Sequence, residues 1–147
     1  SSSSIDFAEV LGCVRQLKRD GKLDLLIIDS LNTIKWNGVS NRSDGVNAVL
    51  CELNALAKEL QIRIIVQYLL DYLEGENVYG RPHLSELRKQ GIDERNIDAV
   101  WLLDRKFIWT NRIDDDSSAE LVMVDPKSGS KKVLPLIYDV ENEVFEI

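Results

Sequence analysis

Histidine occurs once in the 147 residues, at His83, and cysteine twice, at Cys13 and Cys51. A single imidazole argues against a histidine-built metal site, and a hydrolase triad would have to rest on that one residue. Both cysteines lie among apolar residues of helix-like segments and not at metal-ligand spacing, so they read as buried free thiols. Apolar runs are short: none approaches the roughly 20 residues of a membrane-spanning helix. The polar start, Ser1 to Ser4, resembles neither a signal nor a transit peptide. We expect a soluble, cytoplasmic protein with no membrane partner, whose true N-terminus, given the missing initiator Met, lies upstream. Positive charge is also scarce. With 18 Lys and Arg against 25 Asp and Glu, the net charge of −7 opposes a surface that grips nucleic acid over its whole extent, because phosphate contact depends on clustered basic side chains. Any DNA contact must be carried by local loops.

What is present is enough apolar material, 44% of the chain, to build one domain over residues 1–147. Residues 5–20 place Val10, Cys13, Val14 and Leu17 on one helical face, and the helix ends near Gly21. Leu23 to Asp29, read LDLLIID, is a continuous apolar run of the kind buried on both faces of a parallel sheet. A loop over 30–43 follows. Asp44 can then cap a helix that turns Val46, Val49, Leu50, Leu53, Leu56, Ala57 and Leu60 inward, and Ile62 to Val66 is the next buried strand. Strand, long helix and strand form a parallel crossover unit. Residues 71–83 read as a loop before a short helix at 84–90, and Ala99 to Leu103 as a third buried strand. From Ala119 the pattern becomes a meander: strands at 119–124, 133–138 and 144–147, with a turn at Asp125 to Ser130.

Asp29 is the strongest candidate site residue. A carboxylate at the C-terminal end of a buried strand in an open α/β sheet borders the crevice where ligands bind, and there it can hold a nucleotide's Mg²⁺ through water. The alternative is that it only caps the following turn. Gln67, at the end of the next strand, can exchange one hydrogen bond with a γ-phosphate, or it is simply a polar strand terminus. Gly75 to Pro82 imitates the glycine spacing of a phosphate loop. Arg81 stands where its lysine should be, and Pro82 replaces the Mg²⁺-binding hydroxyl and removes an N–H, so we reject it. Lys35 and Arg42 flank the first long loop and Arg81 and Arg88 the second, while Lys127, Lys131 and Lys132 sit near the late hairpin. Most of these are solvated charges. The two loops follow adjacent strands, so a narrow DNA-contacting rim is conceivable, although Glu74 and Glu76 oppose it.

Arg81-Pro82-His83-Leu84-Ser85-Glu86-Leu87-Arg88-Lys89-Gln90-Gly91, followed by Glu94 and Asp98-Ala99-Val100, resembles the signature of the DnaB family of replicative helicases. Leu25-Leu26-Ile27-Ile28-Asp29-Ser30-Leu31 resembles the family's Walker B strand, and Leu56-Ala57-Lys58-Glu59-Leu60 the helix that follows it. The resemblance covers nearly the whole chain. It implies an α/β fold with a RecA-like P-loop NTPase core, a mainly parallel sheet flanked by helices, and an antiparallel meander at the C-terminus. It also implies ATP and Mg²⁺ as cofactors, with Asp29 on the metal, Gln67 sensing phosphate and Arg105 near the nucleotide base. Lys127 would act in trans at the end of the strand Ala119-Glu120-Leu121-Val122-Met123. Single-stranded DNA, a homohexameric ring, and a primase or helicase loader are the implied partners, with Lys35, Arg42, Arg81 and Arg88 contacting DNA or a neighbouring subunit.

The sequence departs from the family in three places. The phosphate loop and the catalytic glutamate precede this segment in the family, so the chain alone is not expected to hydrolyse ATP. Asp125-Pro126-Lys127 replaces a Lys-x-Arg, which exchanges a bidentate fork for a point charge and places an acid beside it. Gln67 continues as Tyr68-Leu69-Leu70 and not as Leu-Asn-Arg. The favoured reading is therefore a segment of an ATP-driven DNA helicase. The alternative is a non-catalytic relative that keeps the fold as an assembly or partner-binding module. A third reading, another RecA-type ATPase such as a recombinase or a clock protein, is opposed by the block from Arg81 to Asp98.

Overall fold

The computed structural model describes residues 6–34, 42–70, 82–105 and 117–147. The chain divides into two compact units, residues 1–70 with 90–96, and residues 71–89 with 97–147.

The first unit opens with helix α1, Phe7–Arg19. Asp6 caps it by accepting a hydrogen bond from the Ala8 N–H at 2.9 Å, which satisfies one of the donors a helix start leaves open. Gly21, at φ 68°, ends it: its N–H reaches the Lys18 carbonyl and that of Lys22 the Leu17 carbonyl, both at 3.0 Å, a left-handed closure that glycine adopts without strain. Strand β1, Leu25–Ile28, then pairs in parallel with β2, Arg63–Val66, so that Ile28 lies opposite Val66. Helix α2, Arg42–Leu60, connects them. It begins two residues ahead of the cap expected at Asp44, which instead places its charge in the first turn, where the helix dipole favours an anion.

Val14 of α1, Leu56 of α2 and Ile62 form the buried centre of this unit, with Leu26 and Ile64 packed against it. Leu56 is 1% exposed. The expectation of strands buried on both faces is corrected here. Leu26, Ile28, Ile64 and Val66 are half-buried, whereas Leu25 and Ile27 are 44% and 63% exposed and Ile65 is exposed too. Alternate residues of a strand project to opposite faces, and among the described residues the helices cover only one. The thiols are corrected as well: Cys13 and Cys51 are both exposed. The inward stripe of α2 runs Val46, Val49, Leu50, Leu53, Leu56, and Cys51, one residue past Leu50, is rotated about 100° away from it. In α1 the buried residues are Phe7 and Val14, and Leu17 is exposed.

The second unit holds the short helix α3, Leu84–Lys89, and a four-stranded antiparallel sheet in the order β3-β4-β5-β6. The strands are β3 Val100–Arg105, β4 Ser118–Val124, β5 Lys131–Asp139 and β6 Val144–Glu146, which bears out the expected meander and turn. The α/β class holds. The balance of the sheet does not: among the described residues the parallel part has two strands and the antiparallel part four. The strand expected at 99–103 pairs antiparallel with β4, Val100 opposite Val124. It also alternates, burying Val100, Leu102 and Asp104 and exposing Trp101 and Leu103, so it too is covered on one face. No described helix is long and apolar enough to cross a membrane.

Candidate functional site

Asp29 and Gln67 are each the first residue past a paired strand, and the parallel register makes them neighbours at one edge of the sheet. The ladder continues through them: the Gln67 N–H donates to the Ile28 carbonyl, and the Leu31 N–H donates to the Gln67 carbonyl, both at 2.9 Å. The peptide between Asp29 and Ser30 is cis. Both side chains lie on exposed residues, and among the described residues neither is engaged in a hydrogen bond or ion pair. The chain then turns inward. Ser30 and Leu31 are buried, and a single 3-10 turn at Leu31–Thr33 is closed by the Thr33 hydroxyl donating to the Ser30 carbonyl at 2.8 Å.

Asn32, which belongs to no motif in the sequence, ties this turn to the segment after β2. Its amide nitrogen donates to the Leu69 carbonyl at 3.0 Å and its amide oxygen accepts from the Leu69 N–H at 2.8 Å. A polar residue three positions after Asp29 is visible in the sequence; its partner, 37 residues away, is not.

The same unit contains a second amide clasp. Asn47 of α2 donates to the Gly91 carbonyl and accepts from the Asp93 N–H, each at 2.8 Å, and Asn54 donates to the Asn96 carbonyl at 3.0 Å. Residues 91–96 are thus held by polar side chains spaced about two turns apart on one helix.

The remaining candidates behave differently. Arg42 is the first residue of α2 and exposed. Arg88 is exposed on α3, beside the buried Leu87. Lys35 and Arg81 lie outside the described residues. In the second unit the Arg105 guanidinium lies 3.6 Å from the centre of the Tyr138 ring, a cation–π arrangement, and Tyr138 in turn sits 4.9 Å from Phe145. Nothing in the sequence pointed to that ring. Lys127 donates to Asp98 at 2.9 Å, and this hydrogen bond with the attraction of Asp98 raises the lysine's pKa. Asp125 folds back over its own turn, accepting from the Ser128 hydroxyl at 2.7 Å and from the Lys127 N–H at 2.8 Å. Those bonds, the Ser128 hydroxyl first, hold its carboxyl below the ordinary range. Lys127 and Asp125 are thus both engaged within the chain, Lys127 through a solvent-exposed pair that is easily exchanged.

Asp29 and Gln67 thus present a carboxylate and an amide side by side at the C-terminal tips of parallel strands, where α/β proteins bind their ligands. Among the described residues no group of three or more His, Cys, Asp or Glu could hold a metal ion. A family described as the DnaB-like helicase C terminal domain matches residues 1–147, and the chain belongs to it. The replicative DNA helicase DnaC of Bacillus subtilis is 27% identical over 143 residues, 96% of this chain and 32% of the relative. The replicative DNA helicase DnaB of Geobacillus stearothermophilus is 26% identical over 144 residues, 97% of this chain and again 32% of the relative. The chain thus spans about a third of the length of these curated relatives. A solved DnaB-like replicative helicase, described with its interactions with primase, superposes with a TM-score of 0.79 at 23% identity, over 94% of this chain and 34% of that one. A second solved structure, described as an ATPase domain, gives the same score and identity over 94% of this chain and 50% of that domain. At that identity the likeness establishes the fold.

Proposed function

We propose that residues 1–147 form the C-terminal portion of a RecA-like motor domain, both units belonging to it, in an ATP-driven replicative DNA helicase. The longer protein assembles as a homohexamer in the cytoplasm, moves along single-stranded DNA, and meets a primase or a loader. The observation that carries this reading is the juxtaposition of Asp29 and Gln67 in a chain of the DnaB-like family.

Asp29 fits Mg²⁺ held through water. Magnesium typically takes one or two protein carboxylates, the remaining positions being filled by substrate phosphates and water, and a lone exposed carboxylate at a strand tip suits that sharing. The metal would neutralise charge on the β- and γ-phosphates of ATP. Gln67 places an uncharged amide where it can donate to or accept from a γ-phosphate without an ionic bias. Arg105 lies near the base, its planar cation fixed by Tyr138. Lys127 reaches a neighbouring subunit's site, and Lys35, Arg42, Arg81 and Arg88 contact DNA or that neighbour. The phosphate loop comes from outside this segment, so ATP turnover belongs to the longer protein.

In that protein Asp29→Ala is expected to lower ATP turnover by about 100-fold or more, with the circular dichroism spectrum unchanged. Unchanged turnover would remove Asp29 from the mechanism and with it this reading. The intrachain engagement of Lys127 and Asp125 favours a second reading, a non-catalytic assembly or partner-binding module. An upstream Gly-x-x-x-x-Gly-Lys-Ser/Thr supports the motor, and a decayed one supports the module.

A further inference from the structure

We infer that Asn32 is a positioning residue for Gln67, a role that deepens the proposed nucleotide site and rests on that reading. The assigned strand β2 ends at Val66, and Gln67, whose backbone still bonds to Ile28 and Leu31, stands at the very end of the ladder. Segments past the end of a ladder lose the bonds that fix backbone direction, so the residue at the ladder's end keeps a constant aim only if the segment after it is held as well. Three contacts supply the restraint. The Gln67 N–H is bound to the Ile28 carbonyl and the Gln67 carbonyl to the Leu31 N–H, each at 2.9 Å. Two residues on, the Asn32 amide binds both backbone groups of Leu69, at 3.0 and 2.8 Å.

A side-chain amide has one donor end and one acceptor end, so it copies the pair of bonds that a neighbouring strand would exchange. Asn32 thereby extends the ladder past Gln67. Gln67 is held at its own backbone by Ile28 and Leu31 and, two residues on, through Asn32; Leu31 and Asn32 both belong to the loop that leaves Asp29. The carboxylate proposed to organise the metal and the amide proposed to sense the phosphate are thus held in one register. Neither end of the Asn32 amide is dispensable in this scheme: an aspartate would keep the acceptor for the Leu69 N–H and lose the donor for its carbonyl.

The test is steady-state ATP turnover in the longer protein, with foldedness followed by thermal unfolding. Asn32→Ala is expected to lower kcat about tenfold with KM within about twofold, the pattern of an interaction that matters in the transition state and not for ground-state binding. Asn32→Gln, which restores the amide, is expected to recover kcat to within about threefold. In the Gln67→Ala background, Asn32→Ala should produce no further loss, because residues acting through one another are non-additive. Should Asn32→Ala fail to fold, Asn32→Asp carries the same comparison. Losses that multiply in the double variant, or an Asn32→Ala enzyme with parental kcat, would overturn the inference. If Asp29→Ala still abolishes turnover in that case, the nucleotide site stands and only the role of Asn32 falls; if Asp29→Ala is also without effect, the site itself is wrong.

Discussion

In the helix-flanked unit the Asp29 carboxylate and the Gln67 amide stand at the tips of two parallel strands with no partner among the described residues, while the backbone beside them is held by the Gln67 bonds to Ile28 and Leu31. In the antiparallel unit the charged candidates are spoken for: Lys127 by Asp98, Asp125 by its own turn, and Arg105 by the Tyr138 ring. Fixed backbone beneath uncommitted side chains is the arrangement expected of a site that awaits a ligand. Surface charges bound to neighbours in a turn are more often devices that shape the turn, and exposed pairs of this kind contribute little to stability.

The contrast is most open to challenge through packing. Leu56→Ala, at the most buried position of the helix-flanked unit, is expected to destabilise the protein by about 2–5 kcal/mol in urea unfolding. Ile27→Ala, on the uncovered face of the same strand pair, should cost no more than about 0.5 kcal/mol. Equal losses would mean that the second face of the sheet is covered after all. Two glycines of the same unit differ by less. At Gly91, with φ 75°, an added Cβ would meet the Ser43 Cβ at 2.9 Å. Gly91→Ala is therefore expected to cost about 1–3 kcal/mol and to loosen the Asn47 clasp. Gly12 lies inside α1 with nothing within 4 Å of the position a methyl group would take, so Gly12→Ala should stabilise by about 0.5–1 kcal/mol. Opposite signs in a thermal scan are the expected result.

The smallest effect concerns pH in the antiparallel unit. The carboxyl of Asp125 is held below its ordinary range by the Ser128 hydroxyl and by the backbone N–H groups of Lys127 and Ser128. A group whose pKa is lower folded than unfolded favours the folded state fully above its unfolded pKa, and that contribution is lost as pH falls through the folded pKa. Asp125→Asn should therefore unfold at a lower temperature than the parent at neutral pH, and the gap should close as the pH drops below about 4. A gap independent of pH would show that the carboxylate charge does not hold the turn.

Much of this was legible in the residues. The LDLLIID run, the amphipathic stripe of α2 and the Asp-Pro-Lys-Ser-Gly turn each carry their structure locally, and the order of elements followed from them. Burial was less legible, because a continuous apolar strand announces two apolar faces and says nothing of whether the covering layers are present. The same limit applied to Cys13 and Cys51, where one position around a helix separates buried from exposed. Asp29 and Gln67 could be placed from strand ends alone. The long-range partners could not: Asn32 with Leu69, Lys127 with Asp98 and Arg105 with Tyr138 join positions whose spacing carries no periodic signal.

The roles proposed for Asp29, Gln67 and Asn32 require the nucleotide's metal to lie at the Asp29 and Gln67 end of the parallel strands. Methyl-labelled isoleucine in the longer protein, loaded with Mn²⁺ and ADP, tests this, since paramagnetic broadening falls steeply with distance. Ile28 precedes Asp29 and pairs with Val66, whereas Ile62 immediately precedes β2 at its other end, about 13 Å away along the strand at roughly 3.3 Å per residue. The Ile28 methyl should broaden far more than that of Ile62. Broadening of Ile62 beyond Ile28, or of neither while nucleotide is bound, would contradict the account.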